Sequence, residues 1–482
     1  MPVVRNIAVN AAGMLVPLLV TFFTVPIYLS QVGNERYGII LIAWAVLGYL
    51  GFMDFGISRA TTRALAQADP KNAKLVSEIF WTALLTSAAI SVAAGAVAYL
   101  VLLIVFRNFI QVEGALSGEL AGSVPIIAAM LPVTLLTGVG VGASEAREKF
   151  AVLNAIQAVS LILSQVVPLL IAIHLGPSLP LILGSMLAFR TLTMLLILAY
   201  GKQVNSVGWS ADMQPQRVRD LLSFGGWLTL TNIISPVMTL VDTFVIGAVR
   251  GVGVVPFYGV PMTLIQRAQI LPAVFVRTLF PYFSRVSDVS QRRAVRATLQ
   301  VLSLFASAIY VPVILCGASF LEWWVGPEMA ANGGVILLVL ALGAWWNNHA
   351  SVLFSALQAS GRPRDVALVH ACEVIPYLVV LWLAVSSFGL LGAAAAWSLR
   401  VVVDAIALAA LYRPSRDDLL PLVPSLVSVW FAAAVSLWLQ LEFLPAAAAS
   451  AAIWFTTLAL ALTTSPGLRA SVLGLLNRKA GA

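Results

Sequence analysis

Apolar residues run in blocks of about 20 along the whole chain, parted by short polar stretches, and the blocks lack strand-like alternation. Blocks of that length cross a bilayer as helices, because a helix satisfies its own backbone hydrogen bonds where water is absent. The pattern predicts fourteen helices at about 6–30, 37–58, 78–106, 118–142, 150–174, 179–200, 221–247, 253–284, 297–320, 332–357, 366–387, 390–412, 420–440 and 444–464. The expected fold class is an all-α polytopic membrane protein. The first block follows Arg5 and ends near Leu29. It is too long for a signal-peptide core, contains Pro17 and Pro26 and has no small-residue cleavage site, so it reads as an uncleaved first helix.

Lysine and arginine orient these helices, since cytoplasmic loops carry the excess of positive charge. With the N-terminus inside, 21 of the 28 basic residues fall in cytoplasmic segments. Only Arg36, Arg107 and Arg250 fall outside, and Arg190, Arg267, Arg277 and Arg400 lie within helices. The formal charge of +8 is therefore mostly topological, and no nucleic-acid partner is expected. Both termini are placed in the cytoplasm.

The chain also repeats itself. Asn10 precedes Tyr37-Gly38 as Asn232 precedes Tyr258-Gly259, and His174-Leu175-Gly176 precedes Arg190 as Ser387-Phe388-Gly389 precedes Arg400. The offset stays near 210–222 residues. Six helices per copy is an even number, so the copies are parallel repeats with a site expected between them. The expected organisation is an N-lobe over 1–205, a C-lobe over 206–415, and two extra helices with a cytoplasmic tail over 416–482.

Polar residues at helical spacing mark one face of several helices. They include Asn6, Asn10 and Thr21 in the first, Asn232, Ser235, Thr239 and Asp242 in the seventh, and Asn154, Gln157 and Ser164 in the fifth. Asn347, Ser351 and Ser355 do so in the tenth, and His370, Glu373 and Tyr377 in the eleventh. One such stripe reads as interhelical hydrogen bonding; five, with charges in addition, read as a shared water-filled cavity. Arg190 and Arg400 fall near the bilayer centre, where an arginine costs at least a few kcal/mol unless paired or hydrated. Arg400 has Asp404 four residues on, so an ion pair and a ligand contact both stand open for it. Arg190 has only Thr193 and is the sharper candidate.

In the eighth helix Arg267 lies near mid-depth, while Arg277 suits a snorkelling anchor as well as a ligand contact. Pro256, Pro261, Pro272 and Pro281 predict kinks there. Asp54 lies within the second helix, with Arg59 five positions on. On a continuous helix these are about 140° apart, so they pair only if Gly56 bends the chain. His349 and His370 suggest a proton relay, although a satisfied histidine is the commoner case. GVGVG (Gly138 to Gly142) has no preceding strand and no GK[ST], so it reads as close helix packing rather than a phosphate loop.

Composition agrees: 60% of residues are hydrophobic and 10% charged, too few charges for soluble domains. The two cysteines, Cys316 and Cys372, sit in apolar runs and imply neither disulfide nor metal site. HExxH, CxxC, GxSxG and Walker patterns are lacking, and no metal or cofactor is called for. Polar loops are short, which argues against a membrane-embedded glycan polymerase or glycosyltransferase with a large external catalytic loop.

The order of these features resembles bacterial oligosaccharide flippases of the Wzx type, in the polysaccharide transporter family of the multidrug/oligosaccharidyl-lipid/polysaccharide superfamily. The resemblance rests on Asn10, Gly13, Pro17, Pro26-Ile27-Tyr28, Gly33, Tyr37-Gly38 and DFGI (Asp54 to Ile57). FGGWLTLTNIISP (Phe224 to Pro236), LPAVFVRTLFPYFS (Leu271 to Ser284), ASGRPRD (Ala359 to Asp365) and GLLGAAAAWSLRVVVD (Gly389 to Asp404) extend it over about residues 6–412. It implies two six-helix lobes around a central cavity that alternates between inward- and outward-facing states, in the bacterial inner membrane. The implied substrate is an undecaprenyl-diphosphate-linked oligosaccharide, carried from the cytoplasmic to the periplasmic leaflet for surface polysaccharide, with polymerase or assembly proteins as partners. By helix and depth it implies substrate contacts at Arg59, Arg190, Arg267, Arg277 and Arg400, with Asn10, Asn232 and Asn347 facing sugar hydroxyls. Asp54, Asp242, Glu373 and Asp404 are the candidates for coupling or gating. A lipid-linked peptidoglycan precursor flippase and a drug/cation antiporter are the competing readings; helix-embedded arginines weigh against the second.

Overall fold

The computed structural model describes residues 19–110, 112, 114–208, 214–219, 241–283, 287–439 and 441–464. All regular structure among them is helical. Eleven stretches among the described residues are long and apolar enough to cross a membrane. One of these, Pro363–Tyr412, holds the expected eleventh and twelfth helices, and the first and seventh expected helices lie partly outside the described residues. Large apolar side chains face outward, among them Val92, Ile375 and Phe388. That inversion of a soluble surface suits lipid as solvent. The chain packs as two compact units, Met1–Val255 and Pro256–Ala482.

In the first unit, α1 (Leu19–Val32) turns at Gly33 into α2 (Asn34–Leu50). The expected second helix is not continuous. A short 3-10 turn, Gly51–Asp54, is followed by two left-handed residues, Phe55 (φ 46°) and Gly56 (φ 68°), before α3 (Ile57–Gln67). Then come α4 (Ala73–Asn108), α5 (Ala115–Glu145), α6 (Phe150–Leu175), α7 (Leu179–Val204) and α8 (241–250). The glycines of GVGVG admit close neighbours on two sides of α5. A Cβ on Gly142 would meet the Ser58 carbonyl oxygen of α3 at 2.5 Å, and one on Gly140 the Ile197 backbone of α7 at 2.9 Å. At one end of the unit Arg36 grips Glu119 through two hydrogen bonds, and Glu119 also accepts the Leu179 amide at 2.9 Å.

The second unit comprises α9 (Val255–Ala268), α10 (Ile270–Phe283), α11 (Asp288–Trp324), α12 (Pro327–Ala359) and α13 (Pro363–Tyr412), then the short α14 (Arg416–Leu419), α15 (Val423–Leu439) and α16 (Phe443–Thr464). The kink expected in the proline-rich eighth helix is the turn at Gln269, between α9 and α10. Val276, Leu299, Leu353 and Leu408 join α10 to α13 in one core. A buried polar network ties α15 to α11 and α12. Ser425 accepts from Trp345 Nε1 at 2.8 Å, donates to the Ser303 carbonyl at 2.8 Å and bonds Ser307 at 2.6 Å. Ser303 in turn bonds His349.

The internal repeat is visible in the backbone. Gly33 (φ 83°) and Gly251 (φ 90°) precede the two Tyr-Gly pairs, and Gly176 (φ 96°) and Gly389 (φ 62°) precede the helices that carry Arg190 and Arg400. At Gly389 the two halves of α13 meet without a loop, and a Cβ on Gly392 would overlap the Ala384 carbonyl.

Candidate functional site

Two clusters of embedded charge stand out, one in each unit. In the first, α7 carries Arg190 toward α2 and α5. Its guanidinium carbon lies 4.1 Å from the Trp44 ring centroid, and its Nη1 reaches Thr134 Oγ1 at 3.5 Å, the outer limit of a hydrogen bond. No carboxylate pairs with Arg190 among the described residues. Ser160 and Thr193 share a hydrogen bond that joins α6 to α7. One turn along α5 from Thr134, Gly138 faces the break between α2 and α3. There Ser58 donates to the Gly138 carbonyl at 2.8 Å, and Asp54 Oδ1 lies 3.7 Å from where a Cβ of residue 138 would stand. Asp54 Oδ2 accepts the Ser58 amide at 3.3 Å, while Oδ1 is buried with no partner among the described residues. The break at Gly56 does not bring Asp54 onto Arg59, which is exposed in the first turn of α3.

In the second unit the halves of α13 face each other across a cavity of about 590 Å³, lined by Leu368, Glu373, Tyr377, Arg400 and Val403 among others. The Arg400–Asp404 ion pair left open by the sequence does not form. Asp404 instead faces His370, Nε2 to Oδ1 at 3.2 Å, and Arg400 lies 5.6 Å from the Tyr377 ring centroid. Phe354 stacks on His370 at 5.7 Å between centroids. Glu373 is near Asp404, Arg400 and His370, yet neither of its oxygens has a hydrogen bond of normal geometry among the described residues. Two carboxylates beside one guanidinium leave no positive charge to spare here. An anion is better served by Arg190, whose charge is uncompensated among the described residues.

The remaining candidates are dispersed. Arg267 is half-buried on α9 near Gln269, whose Nε2 has no partner among the described residues. Asn347 is half-buried on α12, and Asp242 is buried on α8. Asn10 and Asn232 lie outside the described residues, as does the side chain of Arg277. His349 is a satisfied structural histidine, bonded to Ser303 and to the Trp345 carbonyl, each at 2.7 Å. Trp44 and Thr134 are additions that sequence reasoning passed over. The available signal was a tryptophan at mid-helix, away from the interfaces where that residue concentrates.

Residues 3–287, more than half of the chain, match the family described as "Polysaccharide biosynthesis protein". A Shigella flexneri protein named "Putative O-antigen transporter" is 29% identical over 419 residues, which span 86% of this chain and 98% of that one. Among solved structures, "Lipid II flippase MurJ, inward closed conformation" aligns with a TM-score of 0.75 at 13% identity, covering 95% of this chain and 99% of its own. An inward-facing multidrug resistance MATE family transporter of the MOP superfamily gives a TM-score of 0.66 at 14% identity, covering 83% and 97%. The last two establish the fold, and with it the expected all-α, MATE-like architecture. The resemblance read from the sequence holds: the chain belongs to the polysaccharide biosynthesis protein family.

Proposed function

We propose that the protein is a flippase of the bacterial inner membrane that carries an undecaprenyl-diphosphate-linked oligosaccharide from the cytoplasmic to the periplasmic leaflet. It works by alternating access and supplies surface polysaccharide synthesis; polymerase and assembly proteins are its partners. The observation that carries this reading is Arg190, a cation at membrane depth held by an aromatic face and a hydroxyl with no carboxylate beside it among the described residues. In a low-dielectric setting such a charge attracts a diphosphate. The O-antigen transporter name of a relative matched over nearly its full length supports the same substrate class. Arg59, Arg267, Arg277, Asn10, Asn232 and Asn347 are secondary contacts in this reading, Arg400 is set aside because Glu373 and Asp404 balance it, and Asp54, Asp242, Glu373 and Asp404 serve coupling or gating.

Deletion of the gene followed by analysis of lipid-linked glycans tests it. Accumulation of an undecaprenyl-linked oligosaccharide on the cytoplasmic side is expected, reversed by the intact protein. Undiminished glycan export would overturn the reading, and accumulation of a peptidoglycan precursor would reassign the substrate.

A further inference from the structure

Arg190 and Asp54 are two embedded groups of opposite charge, each without an ionic partner among the described residues, and they approach positions of α5 that lie one helical turn apart. Arg190 Nη1 reaches Thr134 Oγ1 at 3.5 Å, and Asp54 Oδ1 lies 3.7 Å from where a Cβ on Gly138 would stand. Thr134 and Gly138 are four residues apart, about 6 Å along the axis of α5, and no ion pair joins Arg190 to Asp54 among the described residues. Asp54 also sits beside the break between α2 and α3, and Phe55 there holds a left-handed φ of 46° that a side chain adopts with strain. Its Oδ2 caps the new helix through the Ser58 amide; its Oδ1 serves no hydrogen bond among the described residues.

We infer that Asp54 is the exchangeable counter-ion of Arg190, swinging about the Phe55–Gly56 break onto the guanidinium when the anion site is empty and displaced from it by an incoming diphosphate. The inference rests on the anion site proposed at Arg190 and adds what happens when that site is vacant. A carrier must return empty across a medium hostile to a lone guanidinium, and a resident carboxylate lowers that cost. The same carboxylate competes with the ligand, so it weakens binding and promotes release; each partner opposes the other by the same factor. Gly138 leaves the side of α5 beside the carboxylate open, since a Cβ there would stand 3.2 Å from the Ser58 Cβ and in van der Waals contact with Asp54 Oδ1 at 3.7 Å.

Binding of geranylgeranyl diphosphate to the full-length protein in nanodiscs tests this. The wild type is expected to bind, Arg190→Ala to lose binding, and Asp54→Asn, which keeps the acceptor that caps α3, to bind about tenfold tighter. A second measurement separates a swing from a fixed repulsion at a distance. Dicyclohexylcarbodiimide, which couples to an accessible carboxyl group, is expected to label Asp54 weakly in the ligand-free wild type, and more strongly when geranylgeranyl diphosphate is bound or in Arg190→Ala, as read by mass spectrometry. No binding by the wild type would remove the anion site and this inference with it. Binding that depends on Arg190 but is unchanged or weaker in Asp54→Asn would remove the inference alone. Tighter binding in Asp54→Asn, with Asp54 of the wild type labelled equally in the presence and absence of geranylgeranyl diphosphate, would overturn the swing.

Discussion

Arg190 rests over Trp44, guanidinium carbon to ring centroid 4.1 Å, so the charge on α7 is positioned by a side chain of α2. Arg190→Ala is therefore expected to abolish surface polysaccharide while the protein still reaches the membrane. Trp44→Leu should cost about two- to thirtyfold in transport, the worth of a cation–π contact, and Trp44→Phe should keep most of it. Complementation of a deletion strain, with membrane levels measured by immunoblot, reads both. Normal polysaccharide in Arg190→Ala would sink the assignment of this site.

Gly140 allows α5 and α7 to touch through their backbones. Gly140→Ala would place a methyl group 2.9 Å from the Ile197 carbonyl carbon and oxygen and from the Leu198 nitrogen, none of which can rotate away. A loss of about 1–3 kcal/mol is expected, seen as a lower melting temperature of the purified protein. Gly184→Ala, with nothing within 4 Å of the new atom, is the control and should not lower it.

Ser425 serves Trp345, Ser307 and the Ser303 carbonyl at once. Ser425→Ala leaves the Trp345 indole N–H unpaired in a buried place, at a cost of about 1–3 kcal/mol. Limited proteolysis should then cut between α14 and α16 sooner than in the wild type. An unchanged digestion pattern would mean that α15 is held by apolar contact alone.

Glu119 joins three helices, through Arg36 of α2 and the Leu179 amide that begins α7. Both side chains of the ion pair are about a quarter exposed (27% and 22%), so the expected loss in Glu119→Gln is modest, about 1 kcal/mol. The melting-temperature gap to the wild type should narrow as salt is raised. A gap indifferent to salt would assign the effect to the Leu179 hydrogen bond.

Much of the fold was legible because a lipid solvent imposes one simple requirement, a long apolar run, and the chain meets it repeatedly. Even the loop-free junction at Gly389 was placed between 387 and 390. The break at Phe55–Gly56 was legible only as an option, since one glycine in an apolar run suits a continuous helix as well as a turn, and the neighbours of Asp54 and Ser58 on α5 are about eighty residues away in the chain. The Arg400–Asp404 spacing suggested a local pair, but His370, thirty-four residues before Asp404 in the chain, meets Asp404 instead. Trp44 shares no sequence neighbourhood with Arg190. Contacts of this kind depend on which helices lie side by side, and periodicity within one helix carries no such information.

The glycines of α5 also determine what the first unit can do as a machine. Gly138 and Gly142 abut α3, Gly140 abuts α7, and Val139 and Val141 stand between them. At Gly140 and Gly142 backbone meets backbone, with no pliable side chain between the helices to take up a displacement. The three helices are fastened back to back there, so a push on one is handed to the others as a rigid shift, while the short turn that ends at Asp54 lies outside that clasp.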